Sequence, residues 1–380
     1  MSPGTMQAMV EEARWIGGDA EFAALCERAA AAGSVAMDTE FERTDTFYPK
    51  LALVQFCIDE RIALVDPLTL SDPSPLKALL EDPETEKVMH SCSEDVEVLM
   101  TFCGARPRAL FDTQIAAAFC GSRYGIGYRE LVHSEFGVEL DKGATRSDWL
   151  QRPLSSSQLR YAALDVALLL PLRSRQIAAL ERDARVKWLE EECDRLVSEV
   201  LERPGPESAW RSVKGAGTLD RRGLAALQRL AAWRERRARE LDRPKGWLLK
   251  DDQLLRLAER LPQRSDGLAD AGLPPGAQRR WGNELIDLIE EARRLADDEL
   301  PPPPPAPMSR AGNQRMKAFR QRARAHAQRL GLADELLTRK RLIEPLFLAG
   351  AGTDWPEALT GWRWDVLGAE LQALREDREA

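Results

Sequence analysis

Apolar positions in the first two hundred residues come in short runs broken by helical spacing; beyond them the spacing is almost wholly helical. Residues 34–38 (SVAMD), 51–58 (LALVQFCI) and 61–65 (RIALV) are compact apolar runs of strand length. Only Asp59-Glu60 separates the second from the third, which predicts an antiparallel hairpin. Residues 75–80 carry a helical pattern, and 87–90 (KVMH) read as a fourth strand. Ser93 is expected to cap the next helix, with Glu94, Asp95 and Glu97 in its first turn, where carboxylates suit the positive helix end. Residues 109–111 make a short fifth strand, and Asp112 is expected to cap the helix after it. Strands interleaved with helices predict a layered α/β domain on a mixed sheet.

From Gln158 onward the pattern is helical, and 219–240 is strongly amphipathic, with Leu224, Leu227, Leu230 and Ala231 on one face. Gly246, Pro262, Gly272 and Pro274-Pro275 punctuate shorter helices. Two stretches match each other: WLLKDDQLLRLAERLP from Trp247 with ELLTRKRLIEPLFLAG from Glu335, and Arg280-Trp281 with Arg363-Trp364. The offsets, 335 − 247 = 88 and 364 − 281 = 83, predict two copies of one all-α module. Trp247, Trp281 and Trp364 recur at module positions and are expected to pack in its core. The organisation that follows is an α/β domain over 1–205, a helical domain over 206–300, a polyproline spacer over 301–307 and a second helical domain over 308–380.

Composition narrows the chemistry. No apolar run approaches the roughly 18 residues of a membrane span, and the N-terminus has no apolar core of a signal peptide. The six cysteines form no C-x-x-C pair, and the three histidines have no zinc-like spacing. Reduced thiols in a cytoplasmic protein are expected, and any metal must be held by oxygen, as Mg²⁺ or Mn²⁺ would be. Net charge is −8, which as a whole argues against nucleic acid. The distribution does not: residues 1–200 hold 21 Lys/Arg against 34 Asp/Glu, or −13, and 201–380 hold 33 against 28, or +5. Nine cations against three acids lie between Arg221 and Lys245, and seven cations without an acid between Arg310 and Arg329. Both stripes have the character of a phosphate-backbone footprint.

Three small motifs carry candidate catalysis. Asp38 and Glu40 end the first run, and alternate strand residues share a face, so both carboxylates project together. Asp95 follows the fourth strand in the first turn of a helix. Tyr161 and Asp165 stand four apart, on one helix face. Each motif alone is commonplace. In this order, on these elements, four carboxylates can hold two divalent cations that clamp the attacking and leaving oxygens of a phosphodiester.

That ordered set is the signature of the DEDD exonucleases in their tyrosine variant, and more of the chain resembles the ribonuclease D family. The matching stretches are Asp38-Thr39-Glu40-Phe41, Thr46 with Phe47-Tyr48-Pro49, Leu51 to Gln55, HSCSEDVEVL from His90, Phe111-Asp112-Thr113-Gln114, KGATRSDW from Lys142, and Tyr161 to Asp165. Ser208-Ala209-Trp210-Arg211 and the two helical copies resemble the HRDC modules (helicase and RNase D C-terminal) of that family. The resemblance implies an RNase H-like, DnaQ-like exonuclease domain followed by two HRDC bundles. It implies removal of nucleotides from RNA 3′ ends, notably in tRNA maturation, by a monomer. By the same resemblance Asp38 would bridge two metals, Glu40 and Asp165 would complete the first site, Asp95 would hold the second through water, and Tyr161 would position the attacking water. A phenol of ordinary pKa near 10 is a poor base, so orientation suits Tyr161 better than proton abstraction. Thr39, Phe41, Gln55 and His90 are candidates for contact with the terminal nucleotide. Two other readings stay open: a DNA 3′–5′ exonuclease of the same superfamily, since these residues do not distinguish sugars, and a non-catalytic RNA-binding scaffold.

Overall fold

The computed structural model of the chain describes residues 3–140, 147–202, 205–303, 308–348 and 355–379. One compact unit comprises 1–42, 49–201 and 308–380. Its sheet has six strands: β1 (Arg14–Ile16), β2 (Ser34–Glu42), β3 (Lys50–Ile58), β4 (Arg61–Val65), β5 (Glu86–Met89) and β6 (Leu110–Asp112). Their order is β1-β4-β3-β2-β5-β6. β2, β3 and β4 pair antiparallel; β1 on β4, β5 on β2 and β6 on β5 are parallel, so the sheet is mixed as the pattern predicts. Asp59 and Glu60 both take positive φ (48° and 60°), the twist-matched geometry of a two-residue hairpin.

Helices of this unit are α1 (Pro3–Glu11), α2 (Asp19–Ala32), α3 (Ser74–Glu81), α4 (Ser93–Cys103), α5 (Thr113–Phe119), α6 (Tyr128–Phe136), α7 (Ser156–Ala167), α8 (Leu169–Arg182) and α9 (Val186–Leu201). α1 and β1 have no counterpart in the sequence reading, because three residues of edge strand carry no periodicity. Ser93 is the first residue of α4 rather than its cap, and Cys92 at the cap position makes no side-chain capping bond. Asp112 does cap α5, accepting from the backbone N–H of Gln114 at 2.7 Å and of Ile115 at 3.2 Å. Of the stretch KGATRSDW, residues 142–146 lie outside the described residues.

A second unit is made of residues 43–48 and 202–307 and contains the first helical copy. It contains α10 (Arg221–Leu241), α11 (Lys245–Leu248), α12 (Asp251–Arg260), α13 (Ser265–Asp270) and α14 (Pro275–Arg294). Leu224, Leu227, Leu230 and Ala231 of α10 are fully buried against Leu254, Leu257, Leu285 and Ile289. At the end of α10, Asp242 accepts from the backbone N–H of Phe47 and Tyr48, both at 3.0 Å. Trp281 packs edge-on to Trp233 at 5.6 Å as a core residue should. Trp247 does not: it is 64% exposed, because the four-residue α11 turns its ring outward.

The third segment holds α15 (Arg310–Leu330), α16 (Glu335–Thr338), α17 (Lys340–Ile343) and α18 (Trp362–Glu379). α10 and α15 are both 21 residues long, and each is capped by a side chain that accepts from a glycine N–H three residues on: Asp220 with Gly223, Ser309 with Gly312. This parallel supports the repeat. Among the described residues, however, the second copy shows no separate core of its own. Phe319, Ala323, Leu337, Ile343, Trp362 and Leu367 belong to the same buried cluster as the nuclease sheet. Trp362 stacks on Trp188 at 5.2 Å, and Glu192 of α9 accepts from Arg363 Nη2 at 2.7 Å.

Candidate active site

Asp38 and Glu40 lie two apart near the end of β2, in the middle of the sheet. Glu40 faces Leu53 across the ladder and Phe41 faces Leu51, so Ala52 is an extra residue that breaks the register just where the acids end. Arg152 holds that bulge, donating from Nη2 to the Ala52 carbonyl at 2.7 Å. The same guanidinium forks onto Asp66, with contacts of 2.7 and 2.6 Å, and binds the Trp149 carbonyl at 2.8 Å. The chain entering α7 is thereby pinned to the sheet. A capping box of Ser155 and Gln158 starts α7, and Tyr161 and Asp165 follow on one face. The Tyr161 hydroxyl donates to the Asp165 carboxylate.

Asp95 reaches the group from α4. The Thr39 hydroxyl donates to its carboxylate, tying strand to helix. Asp112 steadies the turn before α4: it accepts from the backbone N–H of Ser91 at 3.1 Å and Cys92 at 3.0 Å, where Ser91 takes a φ of 57°. One buried aspartate therefore orders two helix starts, which the sequence suggested for one only.

Electrostatics show that the four carboxylates meet. Burial drives the Asp38 carboxyl well above the usual carboxylate range, and Asp95, Asp165 and Glu40 add to the effect. Burial and the charges of Asp165 and Asp95 push Glu40 up to about 9. Burial raises Asp165 to about 7 against the pull of Arg129 and the Tyr161 hydrogen bond, and raises Asp95 to about 6 against the Thr39 hydrogen bond. Such mutual repulsion in low dielectric calls for cations. The donors are all oxygen, which suits a hard divalent ion. No three His, Cys, Asp or Glu side chains of the described residues already converge on one point, so the group is a cluster of acids rather than a closed coordination shell.

The other candidates divide. Gln55 pairs across the ladder with Asp38; it is fully buried, and neither amide atom has a protein partner. Phe41 is half-buried at the edge of the core. His90 is already engaged, with Nδ1 2.8 Å from the Thr113 hydroxyl and Nε2 3.1 Å from the Ile126 carbonyl. Thr39 is engaged by Asp95. Trp149, read from sequence as packing, is buried and lies 5.9 Å from the Tyr161 ring. The sequence reading missed Arg129 of α6. Its guanidinium sits 5.4 Å over the Tyr161 ring and acts on Asp165, yet no motif spacing connects it to either residue.

Comparison with known proteins settles the family. A family model described as 3′-5′ exonuclease matches residues 13–176, and the HRDC domain model matches 223–289. Ribonuclease D of Pseudomonas paraeruginosa is 40% identical over 364 residues, covering 95% of this chain and 96% of its own. The chain belongs to the ribonuclease D family. Ribonuclease D of Escherichia coli is 37% identical over 94% of this chain and 97% of its own. The crystal structure of the E. coli enzyme, described as an exoribonuclease involved in structured RNA processing, superposes with a TM-score of 0.90 at 36% identity, covering 96% of this chain and 99% of that one. The expected architecture, a mixed-sheet exonuclease domain followed by an HRDC region, is that of this family. As a ribonuclease D, the chain is a 3′→5′ exoribonuclease. Metal dependence comes with that family. Among the described residues no helix is long and apolar enough to cross a membrane.

Proposed function

We propose that the chain matures the 3′ ends of structured RNAs, tRNA precursors foremost, by hydrolysis at a site built from Asp38, Glu40, Asp95, Tyr161 and Asp165. The observation that carries this reading is the four-carboxylate cluster, Asp95 buried and the other three half-buried, with the Tyr161 hydroxyl on Asp165. Asp38, which feels all three other acids, would hold both cations, Glu40 and Asp165 one of them with it and Asp95 the other. When bound, two Mg²⁺ or Mn²⁺ ions supply Lewis acidity, acidifying water and offsetting charge that builds on the phosphate. Burial and neighbouring acids hold the Tyr161 phenol above its ordinary pKa, so it keeps its proton at neutral pH and orients the attacking water. Thr39 steadies Asp95. His90 holds the turn-rich segment near α5. Gln55 and Phe41 remain for the terminal nucleotide. The enzyme acts in the cytoplasm as a monomer, with an exonuclease domain over 1–205, an HRDC domain over 206–300 and an HRDC-like segment over 308–380. Its helical segments add affinity by contact with the RNA backbone, without sequence readout.

The test is a time course on a 5′-labelled tRNA precursor with Mg²⁺, with Mn²⁺ and with EDTA, beside Asp38→Ala. A metal-dependent ladder shortening from the 3′ end and absent from the variant is the expected result. Tight binding without degradation would support the scaffold reading instead. Faster digestion of a matched DNA strand would support a DNA exonuclease.

A further inference from the structure

The two basic stripes look alike in sequence and differ in the folded chain. Between Arg221 and Lys245 every cation has a protein partner. Arg221 and Arg222 bind backbone carbonyls in the last turn of α14 and just after it. Arg229, Arg234, Arg236, Arg237, Arg239, Arg243 and Lys245 each pair with a carboxylate of their own unit, at 2.7 to 3.6 Å. The phosphate footprint expected there is spent on holding the HRDC bundle together. On α15, by contrast, only the C-terminal half is occupied: Arg322 with Glu370 at 2.6 Å, Arg324 with Asp334 at 2.9 Å, and Arg329 with the His326 ring. Arg310, Arg315, Lys317 and Arg320 have no acid, carbonyl or ring partner among the described residues, and all are exposed or half-exposed.

We propose that the N-terminal half of α15, presenting Arg310, Arg315, Lys317 and Arg320, is the surface that holds the phosphate backbone of the RNA substrate. The proposal rests on the exoribonuclease reading and assigns its affinity to the more divergent helical copy. These cations need break no internal pair to meet phosphates, whereas those of α10 must. At 3.6 residues per turn Arg310, Lys317 and Arg320 share one flank of the exposed arc and Arg315 lies on the other, and from Arg310 to Arg320 the helix rises about 15 Å at 1.5 Å per residue, enough to reach several phosphates. Gln314 lies exposed between them and Gln321 just beyond, with amides for backbone oxygens. The apolar face (Gly312, Phe319, Ala323, Ala327) is buried in the nuclease core, so α15 cannot insert into a lipid surface. Its far end is fixed to the nuclease, where the Ala333 N–H donates to the Ala118 carbonyl at 2.9 Å.

The experiment measures the affinity of the full chain, with EDTA, for a tRNA precursor between 50 and 200 mM salt. The variants are R310Q/R315Q/K317Q/R320Q, the lysine version R310K/R315K/R320K, and Arg236→Gln on α10. Each phosphate contact on a single strand contributes about 0.7 to the slope of log affinity against log salt. The glutamine variant should therefore be shallower by about 3 and bind on the order of 10²-fold more weakly at 50 mM. The lysine version and Arg236→Gln should keep the slope, and cleavage of a five-nucleotide RNA by Arg236→Gln should be unchanged. An unchanged slope in the glutamine variant, or a loss confined to Arg236→Gln, overturns the assignment. Loss of binding to phosphatidylglycerol vesicles with RNA binding intact overturns it too, in favour of an anionic membrane. A failure here leaves the 3′-shortening ladder untouched, whereas failure of that ladder removes the nuclease reading itself.

Discussion

Two ionic groups in the same compact unit, one buried and one largely half-buried, behave in opposite ways. On α9 and α18, Glu192 and Arg363 are sequestered together, with side-chain exposures of 7% and 0%. Arg363 donates to both oxygens of Glu192 and to the Leu336 carbonyl, and Trp362 Nε1 donates to the same carboxylate at 2.9 Å. Against the cost of burial, these partners hold Glu192 below its ordinary value. At the end of β2 four acids meet, Arg129 acts on Asp165 among the described residues, and all four acids are raised. Burial is common to both groups; the supply of positive charge differs. The first group is electrostatically complete and serves packing. The second has no such pairing among the described residues, and it is the group we propose for metal.

Substitutions should separate them. Asp38→Ala removes the acid shared by the whole cluster, and RNA turnover should fall by more than about 10³-fold. Its fold should survive, and RNA binding with it; a variant with wild-type turnover would remove the cluster from the mechanism. Arg363→Met strands a buried carboxylate and should destabilise the unit by about 3–5 kcal/mol in denaturant unfolding, with little change in turnover per folded molecule. A loss under about 1 kcal/mol would mean that Glu192 finds other partners. Tyr161→Phe deletes only the hydroxyl and should lower turnover by about 10²-fold with melting temperature unchanged. An unaltered rate would end its assignment as the orienter of water.

The sequence made the second group more legible than the first. Asp38, Glu40, Asp95, Tyr161 and Asp165 stand at spacings fixed by strand and helix periods, and the fold brings them together as those spacings require. Partners that arise from tertiary packing left no such trace. Glu192 and Arg363 are 171 positions apart and share no pattern. Arg129 meets Tyr161 only because α6 and α7 pack. The basic stripe of α10 had the right composition, but the acids that occupy it come from distant positions such as Asp45, Glu207, Glu284 and Glu291. Trp247 recurs at a module position, yet a four-residue helix turns it to solvent. The second helical copy could be recognised from its repeat. That it shares the nuclease core depends on Trp362 finding Trp188, which no local pattern encodes.

The smallest expected effect is also the most diagnostic, because pH should move the two groups in opposite directions. A carboxyl raised in the folded state contributes stability that is fully present below its unfolded pKa and lost as pH rises through its folded value. For the cluster that window runs from about 4, the unfolded range, through about 6 for Asp95, about 7 for Asp165 and about 9 for Glu40. Glu192 is lowered, so its contribution is present above the unfolded value and lost only as pH falls through the folded one. Metal-free chain should therefore soften between pH 6 and 9 through the cluster, an effect that Lys87, lowered by burial to about 8, opposes above pH 8. Divalent cations must displace the protons these acids hold, so they bind better as pH rises. At pH 9, Mg²⁺ at a hundred times its dissociation constant should restore about 2.7 kcal/mol, or roughly 5–10 °C in melting temperature. At pH 6 the same concentration should restore much less, and Asp38→Ala should flatten the difference. Equal Mg²⁺ shifts at both pH values would show that these carboxylates are ionised without metal, and that the cluster is held open by something other than its own missing charge.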